Sequence, residues 1–132
     1  MITILTFLIH YCSELLEKPG FKFKDSEVGR NPAEGSYILL ESDDMQIYVC
    51  NEREEMTWQV RSKHDPKNKN WFSFDLIAQL LGHKVATGVM DATNSDLLSK
   101  NLGKIIKHFR KEEVAETLAK LNKLKSERTQ RL

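Results

Sequence analysis

Residues 36–82 read SYILLESDDMQIYVCNEREEMTWQVRSKHDPKNKNWFSFDLIAQLLG, and this stretch decides the fold. It holds three short runs of β-branched and aromatic residues separated by charged breaks, and each run has the length of one strand. In the clearest run Met56, Trp58 and Val60 alternate with polar residues, as in a strand that buries one face. The three runs therefore predict an antiparallel meander with tight connections.

An amphipathic segment precedes the meander. Residues 2–17 place apolar side chains at three- and four-residue steps, which predicts an N-terminal helix with one broad buried face. Pro19 and Gly20 then end the pattern. Residues 21–24 alternate apolar and polar side chains and predict a further short strand, while the composition of residues 25–35 predicts a loop.

Helical patterns follow the meander. Residues 71–75 begin a predicted short helix, with Ser73 as the candidate N-cap and Gly82 at its end. Apolar spacing predicts two more helices over 96–109, capped by Asn94 or Ser95, and over 112–128. Residues 83–93 form either an extended crossing or a loop. The order of these elements predicts an α+β fold with an N-terminal helix, an antiparallel meander of three to four strands, and two to three C-terminal helices packed against it.

Length and composition indicate one globular domain. The 132 residues fit a single domain, with a core over 1–110 and a basic helix over 111–132 that packs at the edge or extends from it. The N-terminus lacks the basic start and the cleavage site of a signal peptide, and Cys12 and Cys50 match no metal-binding spacing. We therefore expect a cytoplasmic protein in which both cysteines are reduced and lie in the core.

Charge is segregated along the chain although the formal net charge is only +1. Residues 41–55 contain six acids and one base, which gives a net charge of −5. Residues 100–132 contain ten bases and four acids, which gives +6. Such asymmetry indicates a charged partner for one end of the chain. The acids nearest the predicted turns are the candidate partner-binding residues, namely Asp43, Asp44, Glu52, Glu54 and Glu55.

No catalytic or ligand-binding motif appears in the sequence. The glycines match neither a dinucleotide fingerprint nor a P-loop, and the serines lack the context of an activated nucleophile. The four histidines are scattered without the spacing of a zinc site. They are His10, His64, His83 and His108. We therefore expect a protein that is not an enzyme and that uses no metal or other cofactor.

Three segments together resemble the bacterial immunity proteins. These segments are residues 58–61, the sequence WFSFDLIAQLLG at 71–82, and the sequence IIKHF at 105–109. Immunity proteins are small cytoplasmic inhibitors encoded beside polymorphic toxins, including those of contact-dependent growth inhibition systems. The resemblance covers about residues 36–110. It implies a compact α+β domain that binds a cognate toxin without catalysis, and it assigns no toxin-contacting residue.

The acidic region agrees with that reading. A nuclease toxin presents a basic cleft to its substrate, so we expect the acidic 43–55 region to occlude such a cleft, with charge complementarity that accelerates association. Two alternatives are an adaptor domain with a helical C-terminal tail and a nucleic-acid-binding module that uses the basic C-terminal helix. Lysines alternate with glutamates on that helix, which favours a solvated face, so we expect no direct nucleic-acid partner and no membrane partner. The sequence leaves the oligomeric state open.

Overall fold

A computed structural model describes residues 21–28, 35–53, 55–64 and 70–130. In chain order the elements of these segments are β1 (Lys22–Val28), β2 (Ser36–Glu41), β3 (Met45–Glu52), β4 (Glu55–Ser62), β5 (Phe72–Ser73), α1 (Phe74–Leu80), α2 (Ala92–His108) and α3 (Val114–Gln130). The predicted α+β class is confirmed. The predicted helix over 2–17 lies outside the described residues. In the described part of the chain, no helix has both the length and the apolar character needed to cross a membrane.

The described strands form one antiparallel sheet of five strands in the order β1-β2-β3-β4-β5. The three strands of the predicted meander are confirmed as β2, β3 and β4. The sheet has five strands where three to four were expected, because β5 pairs Phe72 and Ser73 with β4 in a segment assigned to the start of a helix. Two paired residues are too few to produce a recognisable alternation.

The edge strand β1 is longer than its pattern predicted. It continues to Val28, so residues 25–28, predicted as loop, pair with β2. The register shifts between Phe23 and Asp25, as at a β-bulge, and the shift interrupts the alternation that the prediction relied on. An edge strand also needs few buried side chains, so its polar composition resembles that of a loop.

The core lies between one face of the sheet and the helices. Register pairs join Ile38 to Val49 and Val49 to Trp58, so the alternating apolar residues of β2, β3 and β4 share that face. Trp58 is fully buried and packs edge to face on Phe74, with ring centroids 6.2 Å apart. The helices contribute further buried side chains, including Leu76, Ile77, Leu98, Leu102, Ile105 and Phe109.

The ends of the first two helices differ in part from the prediction. Ser73 is the N-cap residue of α1, but its hydroxyl donates to the Asp75 carboxylate and caps no backbone N–H. Gly82 adopts a left-handed φ of 87° just past the helix, which agrees with the predicted end. Helix α2 begins earlier than predicted, because Asp91 caps it by accepting from the Asn94 N–H at 2.8 Å.

Asn94, one of the two predicted caps, has a different role. It is buried, and its side-chain amide donates to the carbonyl oxygens of Thr87 at 3.0 Å and Val89 at 2.8 Å. It therefore ties the segment before α2, which crosses from α1, to the first turn of the helix. Several residues with capping side chains occur in succession here, so sequence alone does not identify the one at the helix start.

Helix α3 packs on the domain and does not extend from it as a tail. Val114, Leu118 and Leu121 are buried in the common core. Near its other end, Lys125 Nζ lies 5.7 Å from the centroid of the Phe72 ring. Of the two placements left open by the sequence, at the edge of the domain or extending from it, the structure has the helix packed, and its buried face joins the common core.

An ion pair fixes the end of α3. The Arg128 Nη1 donates to the Asp75 Oδ2 at 2.8 Å, which joins α3 to the start of α1. Burial by itself raises the pKa of Asp75, but the hydrogen bonds from Ser73 and Arg128 outweigh burial and hold that pKa below its usual value. The carboxylate therefore stays charged in the folded protein at neutral pH and continues to hold Arg128.

Leu121→Ala should lower the free energy of unfolding by about 3 kcal/mol, because a fully buried leucine leaves a cavity when it is truncated. Lys123→Ala is the matched control on the exposed side of the same helix and should change stability by less than about 0.5 kcal/mol. Urea unfolding followed by circular dichroism measures both. Equally small effects would contradict the placement of α3 in the core.

Candidate protein-binding site

The structure separates the candidate acidic residues into two groups. Asp43 and Asp44 lie in the turn between β2 and β3, whereas Glu52 and Glu55 pair across the connection between β3 and β4. Strand β3 has eight residues, so the two turns lie about 25 Å apart at opposite ends of the sheet. Residue 54 lies outside the described part of the chain. The four described acids therefore do not form one continuous surface.

At the first turn, one of the two acids already contacts a neighbouring side chain of the fold. The Asp44 Oδ1 lies 2.7 Å from the His64 Nε2, and the backbone N–H groups of Asp44 and Met45 donate to the Ser42 hydroxyl at 3.2 Å. Asp43 is exposed. This turn is thus stabilised by its own side chains, and its acids are only partly available to a partner.

Glu41, which precedes this turn, is also engaged. It is 9% exposed, and its Oε1 accepts from the Gln46 amide at 2.8 Å and lies 3.2 Å from the Lys63 Nζ. The hydrogen bond from Gln46, followed by that from Lys63, holds the pKa of Glu41 below its usual value. Sequence counting assigned this charge to an acidic surface, but it is paired within the fold.

The second group of acids lies on a tight hairpin, which we call the acidic tip (residues 52–55). Strands β3 and β4 are joined by only two residues, and Glu52 lies directly opposite Glu55 in the register. Like charges placed opposite each other destabilise a strand pair. Arg53 adopts a φ of 52°, a left-handed conformation that glycine or asparagine favours in such turns. Both features lower the local stability of the hairpin. Stability of the fold alone would therefore not favour these residues at the acidic tip.

The acidic tip has an ordered support. The Met90 N–H donates to the Met56 carbonyl oxygen at 2.7 Å, and Thr57 forms an isolated bridge with Val89. These contacts hold the segment before α2 against the start of β4. They also bring the exposed Asp91 to the same end of the sheet as the tip. The carboxylates at this end therefore belong to two separate segments of the chain.

A shallow concavity lies beside the acidic tip. It has a volume of about 420 Å³ and is lined by Cys50, Arg53, Glu55 and Thr57. Cys50 and Thr57 are a register pair, and they alternate with the core residues of their strands, so the concavity opens on the face of the sheet away from the core. Cys50 is half-buried there and not in the core as predicted, because the alternation of β3 directs Val49 inward instead.

The same outer face carries an aromatic row that the sequence did not predict. The Tyr48 ring lies 5.4 Å from that of Tyr37 and 5.8 Å from that of Trp71, measured between centroids. The guanidinium of Arg61 lies 4.6 Å from the centroid of Trp71, and its Nε donates to the Gln46 Oε1 at 3.1 Å. Trp71 was predicted to begin a helix, and it instead extends this row beside the sheet. These contacts hold the aromatic side chains in defined positions on the outer face of the sheet.

Most of the basic residues of α3 contact other groups within the fold. Lys120 pairs with Glu116 at 3.0 Å, and Arg128 pairs with Asp75. Lys125 lies over Phe72 and donates to the Trp71 carbonyl oxygen at 3.5 Å. These contacts reduce the charge that α3 offers to a partner, and they give its lysines and arginine a structural role.

Comparison with known proteins gives no relative: no protein-family model, no curated protein and no solved structure matches the chain. Within the described residues, no three His, Cys, Asp or Glu side chains are grouped so that they could hold a metal ion.

Glu55→Lys should raise the free energy of unfolding by about 0.5 kcal/mol, because it replaces a like-charge pair with Glu52 by an opposite-charge pair. Thermal and urea unfolding at low salt measure the change, which should shrink in 1 M NaCl because exposed charges are then screened. Glu55→Gln, which removes repulsion without adding attraction, should give an intermediate value. A destabilised Glu55→Lys protein would contradict the proposed local cost at the tip.

Proposed function

We propose that this chain is a non-enzymatic immunity protein that neutralises a toxin by binding it stoichiometrically through the acidic tip. The observation that carries the proposal is the tip itself, where exposed Glu55 and its opposed partner Glu52 lie at the end of an ordered hairpin. The expected partner is a protein domain with a basic surface, such as the active-site cleft of a nuclease toxin.

Electrostatics supports binding at the tip. A partner that places cations beside Glu52 and Glu55 relieves their mutual repulsion, so that part of the stability lost in the free protein returns in the complex. Complementary charge also accelerates the encounter, which is useful to an inhibitor that must capture a toxin before it acts. Strain and repulsion confined to one exposed turn are typical of sites selected for function.

The family resemblance also supports the proposal. The residues that carry the resemblance include Trp58, Phe74, Ile105 and Phe109, and all four are buried. Buried residues of this kind form the structural scaffold of the domain. Related inhibitors can share such a scaffold and present different surfaces to different toxins. A scaffold of this kind leaves the choice of partner to exposed groups such as the acidic tip.

The alternative of an adaptor with a helical tail has less support. Three buried side chains and the Arg128–Asp75 ion pair hold α3 against the domain. A recruiting tail would have to leave these contacts first, and removal of Leu121 alone from the core costs about 3 kcal/mol. We therefore favour binding by the folded domain.

The binding experiment uses the C-terminal domain of the protein encoded immediately upstream as the candidate toxin. Co-expression should give a stable one-to-one complex and restore growth. Glu54→Lys/Glu55→Lys should lower the association rate by more than about tenfold at 50 mM NaCl, and the loss should shrink as salt is added. Stopped-flow fluorescence or surface plasmon resonance measures the rate.

Asp43→Lys/Asp44→Lys is the matched control, since it changes the net charge by the same amount at the other end of the sheet. It should change the association rate by no more than about twofold. Equal losses in the two variants would mean that total charge, and not the acidic tip, governs binding. Absence of both a complex and growth rescue would reject the immunity function.

A further inference from the structure

The outer face of α2 carries a row of exposed lysines. Residues 97–111 contain five bases and no acid. Three of these bases recur at steps of four and three residues within α2, which places them on one side of the helix, and a fourth, Lys111, lies in the turn that follows it. We call them the α2 lysine stripe; they are Lys100, Lys104, Lys107 and Lys111, and all are exposed. The opposite side of the helix is buried in the core through residues such as Leu98, Leu102 and Ile105.

No ion pair of the described residues involves this stripe, but Asp96, four residues before Lys100 on α2, offsets part of the charge at that end. The ion pairs of the described residues involve Lys63, His64, Lys120 and Arg128, and none involves the α2 lysine stripe. Like charges three or four residues apart destabilise a helix. The dipole of α2 offsets this cost only in its last turn, near Lys107. Lys104, which has no acid three or four residues away on the helix, therefore carries an uncompensated cost, which an anionic ligand would remove.

A second segment extends the basic surface beyond the helix. His83, Lys84 and Lys100 line a concavity of about 430 Å³, with Val85 and Leu97 also in its lining. Asp96 is the one acid among the described lining residues. Lys84 is exposed. The stripe is thus continued by a residue from the crossing between α1 and α2 and is not confined to a single helix.

We infer that the α2 lysine stripe binds the phosphate backbone of a nucleic acid. Gly103 lies between Lys100 and Lys104 and is exposed, and a side chain added there would meet no neighbour within 4 Å. A phosphate backbone can therefore approach closely. This site differs from the last helix, on which sequence analysis placed the basic surface.

The composition of the stripe favours a phosphate backbone over an acidic protein. Protein interfaces depend on a few buried apolar or aromatic anchors. Of the described residues, the one exposed large hydrophobic side chain is Phe23, which lies on β1 and not on α2. Without aromatic side chains the stripe cannot stack on bases, so binding is independent of sequence and acts through charge. This inference does not depend on the immunity function.

The test measures fluorescence anisotropy of the full chain with two labelled probes, a 20-nucleotide single strand and a 20-base-pair duplex of mixed sequence. Both should bind at low salt, and the logarithm of affinity should fall with the logarithm of salt concentration with a slope of about −3 for the single strand and −4 for the duplex, as four phosphate contacts require. Lys104→Glu/Lys107→Glu should weaken binding more than about tenfold.

Lys120→Glu/Lys123→Glu is the matched control, because it makes the same charge change at exposed positions of α3 and should reduce affinity no more than about threefold. Circular dichroism confirms folding, and Lys104→Gln/Lys107→Gln supplies a second, milder variant that should lose affinity in the same direction. Equal losses from α2 and α3 variants, or no binding at 20 mM NaCl, would overturn the inference. So would stripe-dependent binding to poly-glutamate or to anionic vesicles that exceeds binding to both nucleic-acid probes.

Discussion

The buried face shared by β2, β3 and β4 is the constraint on which the rest of the molecule depends. Side chains alternate along a strand, so a shift of one residue would turn Val49 and Trp58 to solvent and bring their polar neighbours into the core. Burial of these residues therefore fixes the register of the meander. A fixed register also fixes which residues form each turn and which end of the sheet each turn occupies.

That constraint explains why charges close in sequence lie apart in space. An antiparallel meander reverses at each turn, so Asp43 and Glu55 lie at opposite ends although only twelve residues separate them. The register also places Glu52 opposite Glu55 and gives the two-residue connection to Arg53 and its neighbour. The acidic tip is therefore a consequence of core packing, and its unfavourable charge pairing persists because the core holds the strands in place.

Sequence predicted the elements that bury a periodic set of side chains. Alternation identified β2, β3 and β4, and three- and four-residue spacing identified the three described helices. It missed the extent of β1, where a bulge and an exposed edge weaken the alternation, and it missed β5, which has only two residues. It also misplaced the start of α2, because a capping side chain is recognised by the hydrogen bond it makes, and several residues there can make one.

The binding surfaces were less predictable from sequence than the fold. A count of charged residues does not show which of them form ion pairs within the folded chain. The net −5 of residues 41–55 includes Glu41 and Asp44, which the fold pairs with Lys63 and His64. Likewise, the positive C-terminal region includes Arg128, which holds α3 in place. Tertiary contacts thus remove some charges from the surface and leave others concentrated on the acidic tip and on α2.

Amide hydrogen exchange on the toxin complex tests the central claim most directly, because it reports contact at each turn without altering any charge. We expect peptides that cover residues 51–57 to become slower to exchange on binding, while those that cover the turn at 42–44 remain unchanged. Protection at the 42–44 turn, with none at the acidic tip, would contradict the proposal that the chain binds a toxin through the tip.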